Sequence, residues 1–453
     1  MKTVIIILLL ASIIAFSCTN AKIGYFWHIT DFHYNPLYSS QGDIRKNCRR
    51  LADRGSSRYL RALGKYGDYA CDSSLELIES AAKYMRTRHS DNVEFVLWTG
   101  DIVTSHYTLS EDDRLNAIRN MTFLLSRTFS SHFVFPVLGD LDPKPSETVT
   151  TLWMQWLPLE ALETFANGGY YTIEQKQNKL RLVILNTNLF GIREHNTPES
   201  SLQWEWLSSV FNKADKANEM IYIIGHTAPG TEYRHGHEMA VGAVEKYIRM
   251  VRQHARRIAG QFFGHLHTDT FRIFYDNERP VSWALLAPSV TPHRYPSDAS
   301  NPGLRLYKFD THNGKVLDYT QYYLDLKTAN RNIESAQWTV EYNVTLYYGL
   351  HDITATSLHN LADRIRTGTT HDNSILKRYL RAYKVKFEES ENCDSACAHQ
   401  HYCSITCLDL PAYQQCLDSA SSALATAADS AAIETFPLKA AIALTVLAAG
   451  VSF

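Results

Sequence analysis

Seven residues of the types that hold divalent cations stand at or just past the ends of short apolar runs: Asp31, His33, Asp101, Asp140, His226, His265 and His267. Asp31 and His33 are two positions apart, as are His265 and His267, so extended backbone projects each pair to one side. Asp101, Asp140, His226 and His265 each follow a glycine, which lets the chain turn sharply as it leaves a strand. Three carboxylates and four imidazoles form a donor set large enough for two cations. That mix suits Zn2+, with Mn2+ or Fe also accommodated, while Ca2+ and Mg2+ prefer all-oxygen surroundings. A shared carboxylate can hold two such ions about 3.5–4 Å apart. The ion pair then lowers the pKa of a water between them and clamps phosphate oxygens as negative charge builds. Hydrolysis of a phosphate ester is the chemistry this implies. Each short motif alone is common in purely structural turns; the inference rests on all five occurring at strand ends. No phosphate-binding glycine loop, dinucleotide fingerprint or nucleophile elbow competes.

The elements that must position these residues are readable as runs. Phe95-Val96-Leu97-Trp98 reads as a strand buried on both faces, turning at Gly100 into Asp101, the natural centre of the set. Ile23–Ile29 leads to Asp31, Phe133–Leu138 to Asp140, Met220–Ile224 to His226, and 260–263 to His265. Further strands are expected at Leu180–Leu185, Trp283–Leu286 and Leu304–Phe309. Helices are predicted over 73–88, 115–129, 203–211 and 236–256. The first has Leu75, Ile78, Ala82 and Met85 at helical spacing and Asp72 or Ser73 as its cap. Strands alternate with helices to about residue 270, which implies an α/β core with ligands at the carboxyl ends of its strands. From Ile333 the apolar spacing becomes helical and cysteines cluster between Cys393 and Cys416. A catalytic domain over 22–330 and a small helical, disulfide-tied C-terminal subdomain over 331–418 are therefore expected. His28 reads as a core residue, His235 and His237 as surface residues, and Trp204 and Trp206 as packing.

The 453 residues carry a net charge of −2 and no useful basic run, which gives no case for binding a nucleic-acid duplex. Met1-Lys2 followed by an apolar run over 4–16 reads as a secretory signal peptide spanning 1–21. At the other end, small residues over 418–430 precede a spacer and an apolar tail, 440–453, of about 14 residues, short of the ~20 that cross a bilayer. Residues 419–453 thus have the layout of a glycosylphosphatidylinositol-anchor signal, with a short tail anchor or buried helix as the alternative. A monomer that is secreted or held by a lipid on the outer face of the plasma membrane is expected. Of eight cysteines, seven remain once Cys18 leaves with the leader, so one thiol is free or pairs with another chain. Cys48 and Cys71, in one loop insertion, are expected to bridge each other. Asn120-Met121-Thr122 and Asn343-Val344-Thr345 make Asn120 and Asn343 candidate glycosylation sites.

The order Asp-x-His, Gly-Asp, Gly-Asn-His-Asp/Glu, Gly-His, Gly-His-x-His is the signature of the calcineurin-like metallophosphoesterases, which this chain resembles. Three further stretches, 258–265, 287–292 and 301–305, resemble the acid sphingomyelinase-like phosphodiesterases. The resemblance covers 22–418 and is nearest to the shorter branch, which lacks a preceding saposin domain; the tail resembles that branch's lipid-anchored form. It implies a β-sandwich flanked by helices, with two zinc ions and a hydroxide between them that attacks phosphorus. One zinc takes Asp31, His33, Asp101 and His267; the other takes Asp101, Asp140, His226 and His265. His106 resembles a histidine that touches the substrate phosphate, standing one residue further from Asp101 than the family spacing. The implied disulfides are Cys48–Cys71, Cys393–Cys397 and Cys403–Cys416, leaving Cys407. Small-molecule phosphodiesters of nucleotide type, or lipid headgroups, are the implied substrates.

The third block departs from this signature. Asp140 stands for asparagine, and its added negative charge should tighten cation binding and weaken attraction for phosphate. Leu141 stands for the histidine that protonates the leaving oxygen. Loss of a general acid typically removes 10²–10⁴-fold in rate. Two expectations follow: a hydrolase of reduced activity, or a catalytically impaired surface protein that binds a lipid or a partner on the same metal scaffold. Phosphomonoester hydrolysis is a third, since the metal motifs do not distinguish esters.

Overall fold

A computed structural model describes residues 22–50, 62–88, 93–104, 109–175, 178–232, 236–294, 298–331, 336–368, 374–387 and 393–419. Counting the strands of its two large sheets in chain order, β1 is Ile23–Ile29, β2 Val93–Trp98, β3 Phe133–Pro136, β4 Tyr171–Gln175, β5 Leu180–Ile184 and β6 Met220–Ile224. Then come β7 Ile258–Phe263, β8 Thr270–Asp276, β9 Arg279–Leu286, β10 Gly303–Asp310, β11 Val316–Leu324 and β12 Trp338–Asn343. One sheet runs β12-β11-β10-β1-β2-β3 and the other β8-β9-β7-β6-β5-β4. β1, β2 and β3 are parallel in the first, as are β5, β6 and β7 in the second, so the carboxyl ends of each set lie along one edge.

The two sheets pack as a sandwich through aromatic side chains. Phe26 on β1 stacks on Phe95 of β2 at 4.8 Å and meets Phe262 of β7 edge-on at 5.4 Å. Tyr222 on β6 donates its hydroxyl to the Gly314 carbonyl at 2.5 Å. The continuous apolar run of β2 is the mark of a strand covered on both sides: Phe95, Val96, Leu97 and Trp98 are all fully buried. Each such side chain contributes about 1.5–3 kcal/mol relative to exposure. Helices Pro198–Ala217 and Val241–His254 cover the second sheet, with Leu207, Phe211, Tyr247 and Val251 in one cluster with Val183, Ile221 and Ile223. Helices Leu75–Thr87 and Glu111–Thr128 join the larger core with β1 to β3.

Several expected boundaries shift for local reasons. Ser74, not Asp72 or Ser73, caps the first helix by accepting the Leu77 amide at 3.2 Å. Leu75 is thereby turned outward in the first turn, and the buried face is Leu77, Ile78, Ala81, Ala82 and Met85. The Trp-rich helix extends to Pro198–Ala217, started by the Thr197 hydroxyl with proline in its first turn. The helix expected from Gly236 begins at Val241, because Gly236–His237 pairs with Thr231–Glu232 as a short ribbon.

The C-terminal helices Ala355–Arg366, Ile375–Tyr383 and Ser395–Thr406 pack on β8, β9 and one another. β12 comes from the same segment, so the boundary anticipated near residue 330 falls between β11 and β12 of a single sheet. Disulfides join Cys48–Cys71, Cys393–Cys397 and Cys403–Cys416, and Cys407 is a free, half-buried thiol.

Glu341 on β12 has both carboxylate oxygens buried with no hydrogen-bond partner among the described residues. Burial, then the nearby Asp269 carboxylate, push its carboxyl well above the ordinary value. A carboxyl raised on folding binds more protons in the native state, so its destabilising effect is absent at low pH and grows as pH rises past the unfolded value. Glu341→Gln should therefore stabilise the protein by on the order of 1–3 kcal/mol at pH 7 and change little near pH 4. Denaturant melts at the two pH values check this; equal shifts at both refute it.

Candidate metal centre

Each expected ligand leaves the sandwich at the carboxyl end of a strand. Asp31 and His33 follow β1, Asp101 follows β2 and Asp140 follows β3; His226 follows β6, and His265 and His267 follow β7. The backbone must turn abruptly there: Asp31, His33, Asp101, His265 and His267 all have positive φ, between 41° and 68°, so it is this left-handed backbone, not the extended one expected, that brings Asp31 with His33 and His265 with His267 to the site. Such conformations cost non-glycine residues on the order of 1–3 kcal/mol each and persist only where the surroundings impose them. The imposing bonds are visible: the Asp31 amide donates to the Gly100 carbonyl at 3.0 Å, and the His33 amide to the Asp101 carbonyl at 2.9 Å. Gly139 is required by close approach, since a Cβ there would lie 2.1 Å from Asp101 Oδ1.

The structure brings all seven together as two groups joined by Asp101. In one, His33 Nε2 lies 3.0 Å from His267 Nε2, with Asp31 Oδ1 at 3.7 and 3.3 Å from these nitrogens and Asp101 Oδ2 at 3.4 Å from His33. In the other, Asp140 Oδ1 is 3.0 Å from His226 Nε2 and 3.1 Å from His265 Nδ1, and Asp101 Oδ1 is 3.5 Å from His226. The two oxygens of Asp101 thus face different groups, as a bridging carboxylate requires. Asp31 directs Oδ2 to the Thr30 hydroxyl at 2.6 Å and the His265 amide at 3.0 Å; its Oδ1 is buried with no hydrogen-bond partner among the described residues. An orphaned buried carboxylate oxygen and ring nitrogens turned toward each other fit a pair of cations, which would supply the missing positive charge.

Without a cation, the carboxylates favour the protonated form of three of the four imidazoles. Burial alone would lower all four imidazoles; Asp31 and Asp101 instead push His33 up to about 9, and Asp140 pushes His265 up to about 10. Asp101 likewise holds His226 well above its usual value, whereas burial prevails at His267 and lowers it. His265 and His226 hold the carboxyl of Asp140, whose side chain is 45% exposed, below the usual carboxylate range. A cation would therefore compete with protons at His33, His226 and His265.

The altered third block has a clear local structure. Asp142 is not a ligand: its carboxylate accepts the Ile102 and Gly139 amides, both at 2.9 Å, and ties the β2 and β3 turns together. Burial, then the Asp101 charge, raise its carboxyl to about 6. The Leu141 amide donates to Asp101 Oδ1 at 3.0 Å and its carbonyl accepts from Arg114, while its half-buried side chain has nothing to donate.

His106 lies outside the described residues, as do His235, the leader and the apolar tail. Among the described residues no helix is long and apolar enough to cross a membrane. His28 is a core residue, bonded through Nε2 to Thr99 at 2.9 Å and lowered by burial to about 3. His237 is half-buried on the ribbon. Asn120 is exposed on its helix, and Asn343 donates its side-chain amide to Thr320 at 2.7 Å. Sequence reasoning missed the residues that surround the ligands. His293 accepts His267 Nδ1 through its carbonyl at 2.8 Å, and its ring stands 3.5 Å from the buried Asp72 carboxylate, which also receives Asn47 and Thr104. The Asn188 amide holds the Gly139 carbonyl at 2.9 Å. Only Asp72, beside Cys71, and His293, within a stretch after the last strand-end motif, carried even a positional signal.

Comparison with known proteins places the chain in a family. The sequence profile "Calcineurin-like phosphoesterase" matches residues 24–269, and "Acid sphingomyelin phosphodiesterase C-terminal region" matches 279–423. The chain belongs to the calcineurin-like phosphoesterases, which are dimetal enzymes, and within them to the acid sphingomyelinase-like phosphodiesterases. It is 34% identical over 426 residues to the Bos taurus cyclic GMP-AMP phosphodiesterase SMPDL3A, covering 88% of this chain and 91% of that one. It is also 34% identical over 424 residues to the Homo sapiens acid sphingomyelinase-like phosphodiesterase 3b, covering 88% and 90%. To the Dictyostelium discoideum sphingomyelinase phosphodiesterase C it is 32% identical over 425 residues, covering 87% and 93%. By class it is a phosphoric diester hydrolase.

Proposed function

We propose that this protein is an exported, zinc-dependent hydrolase of small phosphodiesters, nucleotide-type ones first and lipid headgroups second, working as a monomer at or near the cell surface. The single observation that carries the reading is the pair of four-ligand groups sharing Asp101. Asp31, His33, Asp101 and His267 would hold one cation; Asp101, Asp140, His226 and His265 would hold the other. When bound, such a pair supplies a water of lowered pKa and positive charge for the phosphate oxygens. The two-nitrogen, two-oxygen donor set in each half favours Zn2+, with Mn2+ or Fe as substitutes.

The rest is done by this chain's own groups. The Thr99 carbonyl accepts His226 Nδ1 at 2.7 Å and the His293 carbonyl accepts His267 Nδ1, which fixes the tautomer and aims each Nε2 inward. Asp142 and the Leu141 amide hold the turns that carry Asp101 and Asp140. His106 is proposed as the phosphate contact. A leader over 1–21, an anchor signal in 419–453 and glycans at Asn120 and Asn343 belong to the same reading.

Leu141 favours a second reading, in which the fold and metals persist but turnover is lost and the surface binds a lipid or protein. The test is hydrolysis of a cyclic dinucleotide, an activated phosphodiester and sphingomyelin by the purified protein, with zinc and with chelator. Turnover abolished by chelator and restored by zinc is expected. Bound zinc with no turnover on any of the three favours the binding protein.

A further inference from the structure

Each ligating imidazole has a second ring nitrogen, and the four are served differently. Those of His226 and His267 donate to the backbone carbonyls of Thr99 and His293. His33 Nδ1 is buried without a hydrogen-bond partner among the described residues. His265 presents Nδ1 to Asp140 and turns Nε2 outward, where it faces a carboxylate, Glu238 Oε1, at 3.8 Å. We propose that Glu238 is a positioning residue for the second half-site, holding His265 with its proton on Nε2 and its Nδ1 lone pair toward the cation shared by Asp101, Asp140 and His226. This rests on the metal reading above.

The backbone around Glu238 is placed from both sides. On its amino side, the ribbon pairs Thr231 with His237 and Glu232 with Gly236, and Glu232 accepts the Tyr383 hydroxyl at 2.6 Å. On its carboxyl side, Met239 is buried and bridges to Gly191, and the Ala240 amide donates to the Phe190 carbonyl at 3.0 Å. The Glu238 side chain is 45% exposed. A closing of under about 1 Å, within side-chain rotation, turns the 3.8 Å approach into a charge-assisted hydrogen bond. A carboxylate in that position selects the ligating tautomer and raises the basicity of the ligating nitrogen; losing one typically costs 10–100-fold in metal affinity. Tyr383 lies in the C-terminal helical segment, so that segment reaches the metal centre through the ribbon.

The test titrates Zn2+ alone into the metal-stripped full chain against a competing chelator, reading stoichiometry and both binding constants for the natural protein, Glu238→Gln, Glu238→Lys and Tyr383→Phe. Circular dichroism establishes that each variant is folded. Glu238→Gln is expected to weaken one constant by about 10–100-fold and leave the other within twofold. Glu238→Lys should weaken the same constant further, and Tyr383→Phe should weaken it less. Both constants unchanged in Glu238→Gln and Glu238→Lys, or both weakened equally, overturns the assignment while the metal reading stands. A natural protein that takes up no Zn2+ overturns both.

Discussion

Leu141→His is expected to raise turnover on an unactivated phosphodiester by about 10²–10⁴-fold, the usual worth of a general acid. The Leu141 amide touches Asp101 and its side chain is only half-buried, so on the proposed function an imidazole there would stand beside the candidate metal centre without entering the core. The gain should shrink on an activated ester, whose leaving group needs no proton. That difference between substrates separates proton donation from a general improvement of the site. Comparing kcat on both esters at matched zinc content is the measurement. A variant that binds zinc normally yet stays within twofold of the natural protein on both esters would show that another group already fills the acid role.

Asp101→Asn is expected to abolish activity, by on the order of 10³-fold or more, because the site loses several kcal/mol of charge stabilisation when both cations lose their shared ligand. Asparagine accepts the positive φ of this position, here 50°, better than most residues, and its carbonyl oxygen still accepts the Leu141 amide. The fold should therefore survive. The metal-free variant should be somewhat less stable than the metal-free natural protein, since the relief at Asp142 offsets only part of what is lost with the Asp101 ion pairs to His33 and His226. Zinc content, turnover and thermal melts of stripped protein measure these three effects together. Retention of two zinc ions per chain would remove Asp101 from its bridging place.

Much of the site was readable from local pattern alone. A strand buried on both faces must be an unbroken apolar run, and a ligand at its end needs a sharp turn, so β2 with Gly100-Asp101 and β6 with Gly225-His226 mark themselves. The α/β core, all seven candidate ligands and the Cys48–Cys71 bridge follow from such short stretches; the other two bridges and the division of ligands between cations needed the family resemblance.

Only the tertiary structure decided which strand ends meet. β1, β2 and β3 lie in one sheet and β6 and β7 in the other, so each half-site draws carboxylates from one sheet and imidazoles from both or from the second alone. Periodicity records that a residue is buried, not what it is buried against. The same limit hid Glu238, which reaches His265 through a ribbon held from the C-terminal helices. It also hid Asp72 and His293, more than 200 residues apart in sequence and 3.5 Å apart in space. Leu75 keeps the helical spacing but is exposed for a related reason: the cap at Ser74 makes it the first residue of the helix, and only the tertiary packing shows that the core begins at Leu77.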